Sequence, residues 1–309
     1  MALLFLSKGD DPVRWAAVLR QHIPDLDIRV WPETGDVGDL DAALVWNHPP
    51  GELRRYPNLR LILSLGAGVN HVLDDPDLPA TVPIARIVDP GLTGGMVEYA
   101  VWAVMRYHRN LDVYERFQRE GKWKKLPIPD ASRRGVGVLG LGEIGGACAQ
   151  VLSAFGFWVA GWSRTPKNLD GIVSYAGDGG LKPFLARTDI LVCVLPLTPD
   201  TRGIINAELL AALPKGAFVI NIARGGHVVD GDLIAALDSG HIAGATLDVF
   251  QPEPLPQEHP FWRHPKVTLT PHIASLTNPD TAVLPIIENL RRLAARRPLV
   301  HLVDRKSGY

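Results

Sequence analysis

Cysteine is scarce: the 309 residues contain two, Cys148 and Cys193, each inside an apolar run (GACAQVL and DILVCVLPL). Two thiols without metal-ligand spacing exclude a disulfide framework and a zinc knuckle. The expectation is a pair of buried thiols in a reducing cytoplasm. Long apolar runs are missing too. No stretch approaches the roughly 20 residues that cross a bilayer. The opening ALLFL, followed by Lys8 and Asp10–Asp11, is too short for a signal segment and reads as a buried strand. An excess of one charge is also lacking, since 32 basic residues face 33 acidic ones for a formal net charge of -1. Such balance removes the electrostatic basis for binding nucleic acid or an anionic membrane. Neither a repeat of solenoid period nor a low-complexity tract is found. What these absences leave is a soluble, cytoplasmic protein acting on small molecules.

What is present is a globular mixture, 46% hydrophobic and 21% charged, with length for about two domains. Short apolar runs at Leu3–Leu6, Ile28–Trp31, Ala43–Trp46 and Leu61–Leu65 read as strands, and Pro12–His22 as an amphipathic helix. This alternation predicts βα units on a parallel sheet. A long helix is expected from Gly94 to about Glu120, with apolar residues at Val97, Val101, Val104 and Met105 and a stop at Gly121. A second series predicts strands at Val136–Leu139, Trp158–Trp162, Ile190–Leu195, Phe218–Asn221, Gly244–Asp248 and Val267–Leu269. Helices are expected between them at Gly142–Phe155, Lys182–Ala186, Asn206–Ala212 and Asp230–Ser239. Six strands with crossovers make a doubly wound sheet. The helical pattern of about Asn278–Arg297 lies beyond this series and is expected to return to the first domain.

The second series opens on a specific turn. Gly140-Leu-Gly142-Glu143-Ile144-Gly145 places G-x-G-x-x-G directly after a strand and at the mouth of a helix. The first glycine permits the tight turn and the second admits a pyrophosphate close to the backbone. The third lets helix and strand pack, and the helix N-terminus offers unpaired N–H groups to phosphate. This is the requirement for a Rossmann-type dinucleotide domain. The following strand discriminates between cofactors. An NAD site places an acidic residue about 20 positions on, whereas here the strand runs into Ser163-Arg164-Thr165 without a carboxylate. A hydroxyl and a guanidinium, with Lys167 nearby, suit the 2′-phosphate of NADP(H). NADP(H) is therefore preferred and NAD(H) remains possible; the bland alternative for Arg164 is a solvated loop cation.

Three further segments place reactive side chains at successive strand ends, where ligands bind in open α/β sheets. They are Asn221-Ile222-Ala223-Arg224, Asp248-Val-Phe-Gln-Pro-Glu253 and Thr270-Pro-His272-Ile-Ala274-Ser275. Each of Arg224, Glu253 and His272 has a dull alternative alone, as surface cation, loop carboxylate or capping histidine. Together, beside a phosphate loop, they point to one crevice. His259 and His264 in HPFWRHP lack ligand spacing and read as loop residues, so no metal is expected.

At these residues the chain resembles the D-isomer-specific 2-hydroxyacid dehydrogenase family. The likeness runs over nearly the whole length, through LSLGAGVNHV (63–72), MVEYA (96–100), the glycine turn, LPLTPDTRGIIN (195–206), NIARGG (221–226), ATLDVFQPEP (245–254) and TPHIAS (270–275). Trp46-Asn-His-Pro and Gly161-Trp-Ser-Arg164-Thr look most like the glyoxylate/hydroxypyruvate reductase branch. The resemblance implies two doubly wound parallel-sheet domains with the active site in the cleft they form. A discontinuous flavodoxin-like substrate domain would take residues 1–98 and 279–309, and the NAD(P)-binding domain residues 99–278. It implies that His272 is the general acid, that Glu253 orients it and that Arg224 binds the substrate, which would be a small 2-oxo acid reduced to a D-2-hydroxy acid. An imidazole with an ordinary pKa near 6.5 suits that work. Asp248 is implied to meet the nicotinamide carboxamide, and Leu195, Pro196 and Thr198 to line the adenosine side with Ile222, Ala223 and Ala274 in the cofactor crevice. The glycine-bearing loop Leu65-Gly66-Ala67-Gly68 is implied to hold the substrate carboxylate on its backbone N–H groups. Trp46 would wall the pocket, a plain packing residue being the alternative. Relatives are commonly homodimers, which is the expectation here. Two other readings stay open: a different 2-hydroxyacid dehydrogenase using NAD, and a dinucleotide-sensing protein without catalysis.

Overall fold

The computed structural model describes residues 1–306 and 308, so the assignment of Ser307 and Tyr309 to the substrate domain lies outside the described residues. The chain forms two compact units. One comprises Met1–Leu92 and the return segment from Leu276, and the other is Thr93–Ser275; the limits expected from the sequence were 98/99 and 278/279. The first unit runs β1 (Ala2–Ser7), α1 (Pro12–His22), β2 (Asp27–Val30), β3 (Leu40–Trp46), β4 (Leu61–Ser64), α2 (Asn70–Leu73) and β5 (Ile84–Ala85). Then come α3 (Pro90–His108), in whose first turn the limit falls, α4 (Leu111–Arg119), β6 (Gly135–Leu139), α5 (Glu143–Ala154), β7 (Trp158–Ser163), β8 (Val173–Ala176) and α6 (Gly177–Leu185). The second unit continues with β9 (Ile190–Cys193), α7 (Ala207–Ala212), β10 (Ala217–Asn221), α8 (Asp230–Asp238), β11 (Ile242–Leu247) and β12 (Val267–Leu269); α9 (Pro279–Ala294) returns to the first unit.

In the first unit five strands pair in the order β2-β1-β3-β4-β5, all parallel. This is the 2-1-3-4-5 order of flavodoxin-like sheets. Successive side chains of a strand face opposite ways, and β1 shows the result. Leu3 and Phe5 join a core with Trp15, Val18 and Leu19 of α1, while Ala2, Leu4 and Leu6 join another with Leu53, Tyr56 and Leu59. Parallel strands buried on both faces read as continuous apolar runs, hence ALLFL. Helix α1 starts where Asp11 accepts from the N–H groups of Val13 and Arg14, with Pro12 in its first turn. Such a cap is worth about 1 kcal/mol. Helix α9 buries Ala282, Val283, Ile286, Ile287, Leu290 and Leu293 in the core that also holds Trp15 and Leu19. That apolar stripe ties the C-terminal helix to the N-terminal sheet. The chain beyond it bridges β5 at Ala85–Leu302, which covers a sheet edge.

The second unit carries seven parallel strands in the order β12-β11-β10-β9-β6-β7-β8. Read from β8 it is 3-2-1-4-5-6 with one strand added, the doubly wound dinucleotide order. The two cysteines lie on opposite faces of this sheet, Cys148 with Val136 and Val138, Cys193 with Leu139 and Leu191. Both are free and buried, and burial pushes each thiol up to about 12.

Three expectations are corrected. The long helix expected over 94–120 is two helices, because Asn110 takes a left-handed conformation (φ 57°) and turns the chain. Asparagine tolerates that conformation, and the apolar periodicity on both sides of it concealed the break. The second sheet has a seventh strand, β8, whose half-exposed residues lack the apolar run that marks central strands. Strand β9 stops at Cys193 rather than Leu195, and β5, two residues long, went unread. Among the described residues no helix is long and apolar enough to cross a membrane.

Candidate active site

The glycine turn is dictated largely by packing. Gly140 has φ 104°, which an L side chain rarely adopts. A Cβ on Gly145 would collide with the Gly140 carbonyl oxygen and lie 2.8 Å from Val194 Cγ2. So the first and third glycines are demanded by the protein itself. A Cβ on Gly142 would meet no protein atom within 4 Å, and nothing inside the protein asks for glycine there. Helix α5 begins immediately after. Its first internal bond runs from Gly146 N–H to Gly142 C=O, so the N–H groups of Glu143, Ile144 and Gly145 precede the internal ladder. Unpaired N–H groups at the start of a 12-residue helix suit an anion.

Strand β7 ends at Ser163, whose hydroxyl donates to the Thr165 carbonyl (2.8 Å) and is buried. Ser163 therefore shapes the loop, while Arg164, Thr165 and Lys167 are exposed beyond it. On the neighbouring strand-end loop, Thr201 Oγ1 donates to the Pro196 carbonyl (2.7 Å) and accepts from Thr198 N–H (2.8 Å). That bond pattern fixes the 195–198 turn.

Arg224 follows β10 and is half-buried. Its Nη1 donates to the Ala223 carbonyl at 2.6 Å, and its own carbonyl accepts from Asn221 Nδ2 (2.9 Å) and lies 3.0 Å from His227 Nδ1. Burial lowers the guanidinium pKa, opposed by the charge of Glu253; an arginine stays cationic regardless. A Cβ on Gly225 would run into the Phe250 backbone, so glycine is what lets the Arg224 loop lie against the loop that carries Glu253.

The loops after β11 and β12 are locked together by Asp248, which is fully buried. One carboxylate oxygen accepts from Thr270 Oγ1 (2.6 Å) and Ile273 N–H (2.8 Å), the other from Ala274 N–H (2.8 Å). The Asp248 carbonyl accepts from His272 N–H at 2.7 Å. Since Thr270 must donate to the carboxylate, Tyr99 O–H donates to Thr270 Oγ1 (2.5 Å). Within this frame His272 has φ 56°, and its Nδ1 lies 2.7 Å from Glu253 Oε2. The other Glu253 oxygen accepts from Phe250 N–H (2.9 Å). Burial raises the Glu253 pKa, but these hydrogen bonds and the charges of His272 and Arg224 outweigh it, and the carboxyl titrates below its ordinary value. The side chains of His272 and Glu253 are 36% and 37% exposed, so the pair is only partly shielded by the protein.

In the first unit, Trp46 and the loop 65–68 are brought together. A Cβ on Gly66 would fall 2.6 Å from Trp46 Cζ3, so the indole rests directly on the loop. Leu65 N–H donates to Val45 C=O (2.9 Å) and Gly66 N–H to Ser64 Oγ (3.3 Å). The Leu65 carbonyl accepts from Thr277 Oγ1 (2.9 Å). The N–H groups of Ala67 and Gly68 donate to no described residue.

The sequence reading missed Tyr99, Asn221, Thr201 and His227. Tyr99 acts through a partner 171 positions away and the other three through backbone carbonyls, neither of which spacing reveals. His227 is fully buried and sits 3.2 Å from the Pro196 carbonyl as well. Burial pushes its pKa down, and a neutral ring donates to one of its two carbonyl neighbours. The histidines at 259 and 264 each face one aspartate, Asp230 (3.3 Å) and Asp238 (3.2 Å). Among the described residues no three metal-ligating side chains cluster.

A glycine turn at a helix N-terminus, with an arginine and a carboxylate–imidazole pair at successive strand ends of the same sheet, fits an α/β oxidoreductase of the dinucleotide-binding class. Comparison with known proteins narrows it. Residues 101–274 match the family model for the NAD binding domain of D-isomer specific 2-hydroxyacid dehydrogenases. Over 314 aligned positions the chain is 42% identical to glyoxylate/hydroxypyruvate reductase A of Yersinia enterocolitica and 43% identical to that of Serratia proteamaculans, each covering 100% of both chains. A D-isomer specific 2-hydroxyacid dehydrogenase of Xanthobacter autotrophicus Py2, solved with NADPH and MES, superposes with a TM-score of 0.96 at 46% identity, over 100% of this chain and 99% of that one. An NADPH-dependent glyoxylate/hydroxypyruvate reductase of Sinorhizobium meliloti, solved with NADP and sulfate, gives 0.94 at 38% identity with the same coverage. The chain belongs to the D-isomer-specific 2-hydroxyacid dehydrogenase family, in its glyoxylate/hydroxypyruvate reductase branch.

Proposed function

We propose that this protein reduces small 2-oxo acids, glyoxylate and hydroxypyruvate foremost, to D-2-hydroxy acids with NADPH. The observation that carries the reading is the His272–Glu253 pair at 2.7 Å, with Arg224 close enough for its charge to act on Glu253. A carboxylate only accepts, so Glu253 keeps a proton on Nδ1 and leaves Nε2 to exchange one with substrate. Protonated His272 gives that proton to the carbonyl oxygen. Arg224 binds the carboxylate or carbonyl edge of the substrate through its planar fork and stabilises charge growing on oxygen. The amides of Ala67 and Gly68 hold the substrate carboxylate, and Trp46 limits the size of its side chain.

The residues present fit the cofactor. The N–H groups at the start of α5 would hold the pyrophosphate, Gly142 would leave it room, and Arg164 with Thr165 would take the 2′-phosphate where a carboxylate would repel it. Leu195, Pro196 and Thr198 would line the adenosine side, with Ile222, Ala223 and Ala274 along the crevice. Asp248 has both carboxylate oxygens committed to the His272 loop, so a bond to the nicotinamide carboxamide adds to that duty. Bound NADPH supplies the hydride that the carbonyl carbon receives. A cytoplasmic homodimer belongs to the same proposal and is supported by the family resemblance.

The test is NADPH oxidation by the purified protein with glyoxylate, hydroxypyruvate and bulkier 2-oxo acids, repeated with NADH. Turnover of the two small acids, faster with NADPH, is expected. No turnover of any 2-oxo acid with either cofactor overturns the proposal.

A further inference from the structure

His71, the second residue of α2, touches both parts of the first unit's substrate machinery. Its ring lies against the Trp46 indole with centroids 4.4 Å apart and planes at 59°. Its Nδ1 faces Asn47 N–H (3.3 Å) and its Nε2 faces Ser64 Oγ (3.1 Å). The direction of these bonds follows from chemistry. A backbone amide only donates, so Nδ1 carries the lone pair and the proton of the neutral ring is on Nε2. Nε2–H therefore donates to Ser64 Oγ. The hydroxyl proton of Ser64 is then free to point at the Gly68 carbonyl (3.1 Å), and its oxygen also accepts from Gly66 N–H (3.3 Å).

One imidazole thus connects the end of β3 to the loop after β4. At the first end Asn47 has φ 46°, the left-handed conformation that asparagine tolerates. The His71 bond and ring contact hold it with Trp46. At the second end the bonds of Ser64, itself fully buried, fix the Gly68 carbonyl on one side of the loop. Each planar peptide unit joins one C=O to the next residue's N–H, so Ser64 pins the two units that flank those carrying the Ala67 and Gly68 amides, one through Gly66 N–H and the other through the Gly68 carbonyl. We propose that His71 is a positioning residue that sets two substrate properties together: the aim of the Ala67 and Gly68 amides at the carboxylate, and the place of the Trp46 wall against the side chain. The inference rests on the reading of that loop as the carboxylate site. Next to His71, the buried His48 meets its ring edge-on (6.4 Å, 73°) and is itself held by Asp75 (3.0 Å).

The experiment compares wild type with His71→Phe, which keeps a ring against Trp46 and removes both hydrogen bonds, and with Ser64→Ala, which removes one oxygen. Ser64→Ala carries the test should the histidine variant fail to fold. Measured quantities are KM and kcat for glyoxylate and for a bulkier 2-oxo acid, and the Kd of NADPH. The expected result is a KM for glyoxylate raised about tenfold in His71→Phe and a few-fold in Ser64→Ala, with kcat falling less. The preference for glyoxylate over the bulkier acid narrows by a similar factor, and the NADPH Kd stays within about twofold. A general loss of structure would move cofactor binding too, and that result would contradict the proposal. Folded variants with wild-type KM and preference overturn this inference alone. A wild type that turns over no 2-oxo acid overturns the functional reading and this inference with it.

Discussion

Asp248 holds His272 at both ends of one short loop: its carbonyl takes the His272 N–H at 2.7 Å while its carboxylate takes the N–H groups of Ile273 and Ala274, each at 2.8 Å. A histidine at φ 56° is sparsely populated in the absence of such a frame. The frame aims the imidazole at Glu253.

Replacing Asp248 by Asn tests this frame. An amide NH2 would face one of the donors now satisfied, leaving two donors opposed in a buried site. The expected cost is about 1–3 kcal/mol of stability, read as a drop of several degrees in Tm, with kcat reduced roughly tenfold or more. An unchanged Tm would show that the three hydrogen bonds do not govern the loop. Tyr99→Phe removes only the outermost donor and should cost about 1 kcal/mol.

Acid sensitivity follows from Glu253. Its carboxyl titrates below its ordinary value in the folded protein, so ionisation favours folding. The contribution is complete above the unfolded pKa of about 4.3 and is lost as pH falls through the lower folded value. Glu253→Gln should therefore be less stable than wild type at neutral pH, and the gap should close on acidification through that window. The effect is modest because the group is 37% exposed. A gap constant from pH 7 to pH 3 speaks against an ionised, histidine-bonded Glu253.

The proposed function assigns cofactor choice to the end of β7. Arg164→Ala should raise the Kd of NADPH roughly tenfold or more and leave that of NADH nearly unchanged, because only NADPH carries the 2′-phosphate. Equal weakening of both would reduce Arg164 to a general surface charge.

Much of the architecture was readable from local signals. Parallel strands covered on both faces are apolar throughout, so ALLFL, GVGVL and ILVC announced themselves. Pro12–His22 read as an amphipathic helix, and the helical segment beyond the second strand series was expected to return to the first domain. The misses share a cause. Strand β8 lies at a sheet edge with no apolar run, and the Asn110 turn sits inside an unbroken helical period. The candidate site divides along the same line. Arg224, Glu253 and His272 stand at the ends of legible strands. The residues that aim them, Tyr99, Thr270, Asn221 and His227, act through buried bonds to partners distant in sequence or to backbone carbonyls, which periodicity does not register.

The pair formed by His272 and Glu253 carries the account, and single-turnover kinetics of His272→Ala test it most directly. With NADPH and glyoxylate, hydride transfer should slow by roughly a thousandfold or more, while NADPH binds with nearly wild-type affinity. Transfer within tenfold of wild type would contradict the role assigned to the imidazole, as would a loss of NADPH affinity equal to the loss of rate.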